Sequence, residues 1–359
     1  MRCTTYAIIL AAAFLAPTAT RAGNRFLAIG LTNLGPPRSS PGTTSEIRFY
    51  NLDTMQPAAL VESHGATGMA IAACPRARGF LLGWSPLPRR FDLSALRKAT
   101  TVFEQYDPAS RRATLKRVFP WVVLQGHGGW QRTLVAGPRD LVWALRYRLH
   151  GRELAAVLTC IRWRTGAVTG NFRLRHTSLP GLFALKGRAV LIYGLGNRPQ
   201  IVEVLPDGTS APVPIGPTIT GVPRYLSAKG DTLYGLTKGG SHFVTIHFGP
   251  SGNVVREAAF PLRHGWSVNG FDILDAGKGV ALVCGPGGLK SRIIFTDLAT
   301  GAIQARVKVP FPAAKLITSR NDIFLVSDGG TVAQCNQRGA IVRVGVPPQE
   351  PVLIVGSGD

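Results

Sequence analysis

The chain has 359 residues, and its 41 Lys+Arg against 19 Asp+Glu give a formal charge of +22. At 45% hydrophobic, with 42 Gly and 26 Pro, it is neither disordered nor collagen-like, and it is long enough to bury a large core. Charged residues are only 17%, below the quarter usual in a soluble domain, so the positive balance reflects a shortage of acids.

The first 22 residues read as a secretory signal peptide. Arg2 supplies a positive start, Tyr6 to Pro17 is apolar, and Thr20-Arg21-Ala22 places small residues at −3 and −1 of a cleavage after Ala22. A membrane anchor would need about 20 apolar residues. No stretch in the chain reaches that length, so no transmembrane segment is expected. The expected mature protein is periplasmic or secreted, a single domain over 23–359. Its cysteines, Cys74, Cys160, Cys284 and Cys335, form no C-x-x-C pair, and each lies in or beside an apolar run. Export permits disulfides, but this placement predicts buried free thiols.

Beyond residue 22, apolar runs of four to seven residues alternate with Gly, Pro, Asn and Asp clusters, which predicts strands and turns with almost no helix. Arg25–Ile29 and Glu46–Tyr50 read as the second and third strands of a first unit that lacks an inner strand. From Gly181 the unit is clearest: Gly181–Leu185, Ala189–Tyr193, Gln200–Leu205, then a proline-bearing outer strand through Pro212–Ile215, where an edge tolerates proline. It recurs as Phe271–Leu274, Val280–Val283, Arg292–Phe295 and Ile303–Val309. Turns recur at Asp53-Thr54, Asp107–Ser110, Thr165-Gly166, Asp207-Gly208, Ser251-Gly252, Thr300-Gly301 and Arg338-Gly339, seven in all. The glycines of the last five fall 42, 44, 49 and 38 residues apart, the period of a four-stranded propeller blade. An all-β, seven-bladed β-propeller is therefore predicted, with six or eight blades as the alternatives. The orphan run Val352–Val355 is expected to close it as the inner strand of the first blade.

The segment Ile293-Ile-Phe-Thr-Asp297-Leu-Ala-Thr300-Gly301-Ala-Ile-Gln304 resembles the repeats of the bacterial YVTN and quinoprotein-like propeller superfamily, and Thr165-Gly166 is a weaker echo. The resemblance implies a propeller fold and often a periplasmic home. It covers the blade pattern alone. The Trp that usually follows the Thr-Gly turn in quinoprotein repeats is missing after Gly301, so no quinone cofactor is implied.

Connections from an outer strand to the next inner strand are where a propeller carries loops on a rigid scaffold. His64, His127, His176 and His264 fall there, five to seven residues before strands read as starting at Met69, Thr133, Leu182 and Phe271. Gly126-His-Gly-Gly-Trp130 and His264-Gly-Trp266 add a flexible backbone and a flat ring able to face a ligand or cation. Arg132, Arg224 and Lys315 stand at or beside inner-strand starts and would make the face electropositive. Converging neutral imidazoles suit Zn or Cu, and a single His suits acid–base work. No specific metal spacing is present, so the cofactor is open, with a divalent metal on the four histidines as one candidate. Shared packing in equivalent loops is the competing explanation. His150, His242 and His247 read as structural or solvated.

The leading expectation is an exported, monomeric propeller that binds an anionic small molecule, acidic polysaccharide or protein at a basic, His/Trp-containing face. The candidate ligand-binding residues are His64, His127, Trp130, Arg132, His176, Arg224, His264 and Trp266. A lyase or metal-dependent hydrolase using the histidines is the alternative, and a protein-interaction scaffold the second. Export argues against a dedicated nucleic-acid role despite the charge. The absence of G-x-S-x-G, P-loop and dinucleotide fingerprints leaves common hydrolase, nucleotide and Rossmann readings without support.

Overall fold

The structure is a computed structural model that describes residues 7–14, 25–33, 44–64, 67–74, 79–86, 98–123, 133–137, 140–150, 153–174, 181–345 and 353–355, apart from positions 186, 196–197, 215–220, 238, 250–251, 289 and 328–329. Its strands form seven sheets, antiparallel except for one short parallel pair in the first, and these are the blades of a seven-bladed β-propeller. They fall into two compact units.

In the first unit, blade 1 holds Ala7–Phe14, Phe26–Asn33, Thr44–Asn51 and Pro57–His64, with Leu353–Val355 added. Blade 2 holds Thr67–Cys74, Gly79–Pro86, Thr101–Asp107 and Arg112–Phe119. Blade 3 holds Leu134–Ala136, Leu141–His150, Glu153–Arg162 and Ala167–Arg173. Its second strand also pairs with the short piece Val122–Val123. Aromatic residues fill the space between sheets: Phe49 lies 5.3 Å from Phe80 and 4.9 Å from Tyr106, ring to ring. Phe103 meets Trp121 edge-on at 5.6 Å. Such pairs add to the burial of their own large apolar area.

In the second unit, blade 4 holds Gly181–Leu185, Arg188–Leu195, Arg198–Val204 and Ser210–Pro212. Blade 5 holds Pro223–Lys229, Thr232–Thr237, His242–Gly249 and Gly252–Ala259. Blade 6 holds Ser267–Ile273, Lys278–Cys284, Ser291–Asp297 and Ile303–Val309, and blade 7 holds Lys315–Ser319, Asp322–Val326, Val332–Cys335 and Ile341–Val344. Second strands are the most apolar because both their faces are covered. Val280 to Cys284 are buried throughout, whereas the outer strand Ile341–Val344 is exposed at every residue.

The hairpin turns use the expected chemistry. Asp297 Oδ1 accepts the Ala299 and Thr300 amides at 3.0 and 2.9 Å and the Thr300 hydroxyl at 2.9 Å. Asp207, Asn336 and Asn51 cap their turns in the same way. These side chains mimic a backbone turn, which is why Asx residues open the hairpins.

Two expectations need correction. Leu353–Val355 does join blade 1, but as a fifth strand running parallel to Pro57–His64 at the outer edge, with Leu353 beside Val61 and Val355 beside Ser63. The inner place belongs to Ala7–Phe14, paired antiparallel with Phe26–Asn33 from Ala7↔Asn33 to Phe14↔Phe26. The physical reason is length. An eight-residue apolar strand satisfies the whole edge of its eight-residue neighbour, and a three-residue strand does not. The outer strand of blade 4 ends at Pro212, short of Ile215, since Pro212 and Pro214 have no N–H to donate.

The four cysteines of the described residues are free and buried. Burial pushes the Cys74 thiol up to about 12 and Cys335 to about 11.

Candidate functional site

The best-defined candidate site is the loop end of blade 6 and its neighbours within the second unit. Ser267, Cys284 and Ser291 are cross-strand partners, so they mark one level at the end of the sheet. Beyond them lie the connection 260–266 and the hairpin 285–290. Arg263-His264-Gly265-Trp266 is a β-turn: the Trp266 amide donates to the Arg263 carbonyl at 3.0 Å, and Gly265 has φ +78°, so a side chain there would be strained. The turn leaves His264 exposed and sets the half-buried Trp266 ring against the blade. A Cβ on Gly285 would come within 3.2 Å of Trp266 Cζ2, so glycine is what lets the ring sit flush there. Arg292, the second residue of the third strand, places its guanidinium carbon 4.7 Å from the ring centroid. No carboxylate among the described residues pairs with Arg292.

The inner strands on either side run alongside in the same direction. Ser227 Oγ donates to Asp272 Oδ1 at 2.6 Å, and the Thr318 amide donates to Asp272 Oδ2 at 2.8 Å. Gly270 faces Leu316 two residues earlier. This register puts Arg224, Asn269 and Lys315 at one level on three consecutive inner strands, just inside Trp266. Arg224 is half-buried and Lys315 buried. Burial raises the Tyr225 hydroxyl above its ordinary value, and the adjacent Arg224 charge opposes that shift. None of the connections 213–224, 260–267, 285–292 or 310–315 contains an Asp or Glu, and the blade 7 hairpin 327–331 at the same end adds one, Asp328, against Arg224, Arg263, Lys290, Arg292 and Lys315. This end of the unit is therefore positive, with a stacked guanidinium, an indole and an imidazole presented together.

Of the residues expected from sequence, three lie among the described residues of this unit: Arg224 on the inner strand of blade 5, and His264 and Trp266 in the turn before the inner strand of blade 6. His127, Trp130, Arg132 and His176 lie outside the described residues. His64 ends the outer strand of blade 1, paired with Thr44, and its side chain is likewise outside them. The inner strand of blade 6 begins at Ser267 rather than Phe271, so His264 stands much closer to its strand than its spacing suggested. Among the described residues no three His, Cys, Asp or Glu side chains gather as metal ligands. His242 and His247 are structural: His242 Nδ1 lies 3.5 Å from Glu257, and His247 Nδ1 lies 2.9 Å from the Thr232 hydroxyl. Sequence reasoning missed Arg292. Its only signal was a position directly after the Gly-rich hairpin, which does not reveal an indole beneath it.

No protein family and no curated protein matches this sequence. Solved structures with the same fold do. A 6-phosphogluconolactonase-like protein of Bacteroides fragilis superposes with TM-score 0.57 at 11% identity, covering 94% of this chain and 98% of its own. A catalytically inactive histidine-to-alanine variant of virginiamycin B lyase from Staphylococcus aureus, with Quinupristin, gives 0.51 at 12%, covering 92% and 95%. Acylaminoacyl peptidase of Pyrococcus horikoshii gives 0.56 at 10%, covering 95% of this chain and 52% of the peptidase. The class is thus that of the β-propeller proteins, with neighbours of varied function. Among the described residues, no helix is long and apolar enough to cross a membrane.

Proposed function

We propose that this is an exported propeller that binds an anionic ligand, carrying a carboxylate, phosphate or sulfate, at the basic loop end of blades 5 to 7. The observation that carries the reading is Arg292 stacked on Trp266 at the end of blades 5 and 6, whose connections and hairpins there contain no acid. Stacking fixes the plane of the guanidinium, so less freedom is lost when its N–H fork meets an oxyanion in bidentate fashion. Arg224 and Lys315 add charge behind it, and His264 offers a further donor when protonated. Export rests on the leader-like residues 1–22, whose cleavage after Ala22 would take the inner strand Ala7–Phe14 out of blade 1, and it suits a basic protein whose ligands are extracytoplasmic acids.

Titration with inorganic phosphate, sulfate and glucuronate at low ionic strength tests the site. Binding by the full chain should weaken with salt, and Arg292→Gln should weaken it about ten- to a hundred-fold, the worth of charged hydrogen bonds. His264→Ala, at an exposed turn, should alter affinity without moving the melting temperature. Wild-type affinity in a folded Arg292→Gln protein would refute the assignment.

A further inference from the structure

The outer strands of blades 5, 6 and 7 carry a second pattern, independent of the loop-end site. Exposed aliphatic side chains are expected to be scattered singly over a surface. Here Val254 is 47% exposed, Val342 53% and Val344 54%, all on outer strands. Exposed cations share these strands: Arg256 on the same face as Val254, Arg306 and Lys308 on the next blade, whose own valines are covered, and Arg343 between the two valines in sequence but on the opposite face of the strand. The one carboxylate on these three strands, Glu257, is turned inward, its side chain 6% exposed beside His242. The strands are neighbours. Arg306 donates to the Pro261 carbonyl just past blade 5 at 3.2 Å, and Gly339 in the blade 7 hairpin packs on Val307 and Lys308.

We propose that this outer-strand rim docks on an anionic lipid bilayer. A purely cationic surface would suit any polyanion. Valines set among the cations favour a partner with phosphates at one depth and hydrocarbon just below, where arginine can pair with a headgroup while its aliphatic neighbours leave water. Attachment of this kind is peripheral and reversible, and each cation contributes roughly five-fold to partitioning.

Sedimentation of the full chain with vesicles tests this. The protein should bind phosphatidylcholine vesicles containing about 30% phosphatidylglycerol and not phosphatidylcholine alone, and it should be released by salt. Combined Arg306→Gln, Lys308→Gln and Arg343→Gln should reduce binding roughly a hundred-fold. If that variant does not fold, Lys308→Gln alone, with a roughly five-fold loss, decides. Val342→Ser with Val344→Ser should weaken binding while preserving its salt dependence. Arg292→Gln should leave vesicle binding unchanged, which separates this surface from the loop-end site. Equal binding to neutral vesicles, or full binding by the glutamine variants, overturns the proposal. So does a serine variant that binds vesicles as the wild type does while the protein binds dextran sulfate through the same cations, because the partner would then be an acidic polymer.

Discussion

Single residues decide the turns and the electrostatics of this protein. Gly301 has φ +75°, and a Cβ there would lie 2.6 Å from Phe243 Cδ1. Gly301→Ala should therefore cost about 1–3 kcal/mol by chemical denaturation, from backbone strain and a clash with a buried ring. Asp297 titrates below its ordinary value because the Thr300 amide and hydroxyl hydrogen-bond its carboxylate, so its contribution is present above the unfolded value of 3.8 and is lost as pH falls. Glu104 behaves oppositely. Its side chain is buried, Oε2 has no hydrogen-bond partner, and Lys116 at 3.8 Å is mostly solvated. Burial raises its pKa above 4.5, with Lys116 opposing. The folded state thus resists ionisation, and the penalty is absent below 4.5 and develops as pH rises through the folded value. Glu104→Gln should be more stable than wild type at neutral pH, with the advantage vanishing in acid. An advantage of the same size at both ends of a pH series of melts would contradict this.

At the scale of elements, the strands were legible where alternation or continuous burial was strong. Val280–Val283 and Arg292–Phe295 lie inside strands found in the structure, and the Asp297–Gly301 turn between strands has the expected chemistry. Legibility failed where a strand is polar or short. Ser267-Val-Asn-Gly270 carries too little apolar pattern to read as a strand, yet it pairs with Leu282–Cys284 across a bulge between Val268 and Gly270. The site was half legible for the same reason: Trp266 and His264 stand out in sequence, while Arg292 acquires meaning only through a partner 26 residues away. The closing strand was placed on the wrong edge because run length, not hydrophobicity, decides which segment can cover eight residues. Deleting residues 350–359 should accordingly cost only about 1–3 kcal/mol, since it removes three parallel residue pairs. The effect should appear as faster amide exchange over Val61–Ser63. A loss of the whole cooperative transition would show that the strand does more than line an edge.

At the scale of the whole molecule, one sheet gathers strands from both ends of the sequence. In the uncleaved chain, Ala7–Phe14 and Leu353–Val355 occupy opposite edges of blade 1, with three strands between them. Four inter-strand steps of about 4.8 Å separate them by roughly 19 Å, although nearly the entire polypeptide intervenes. Fluorescent donor and acceptor dyes attached to these two segments would therefore span a gap of about 2 nm, short enough for strong energy transfer that drops when the last strand leaves the sheet. Such a pair would make the release of the last strand an optical signal. A peptide tether of roughly six extended residues would suffice to join the two edges and move the chain's free ends to another blade.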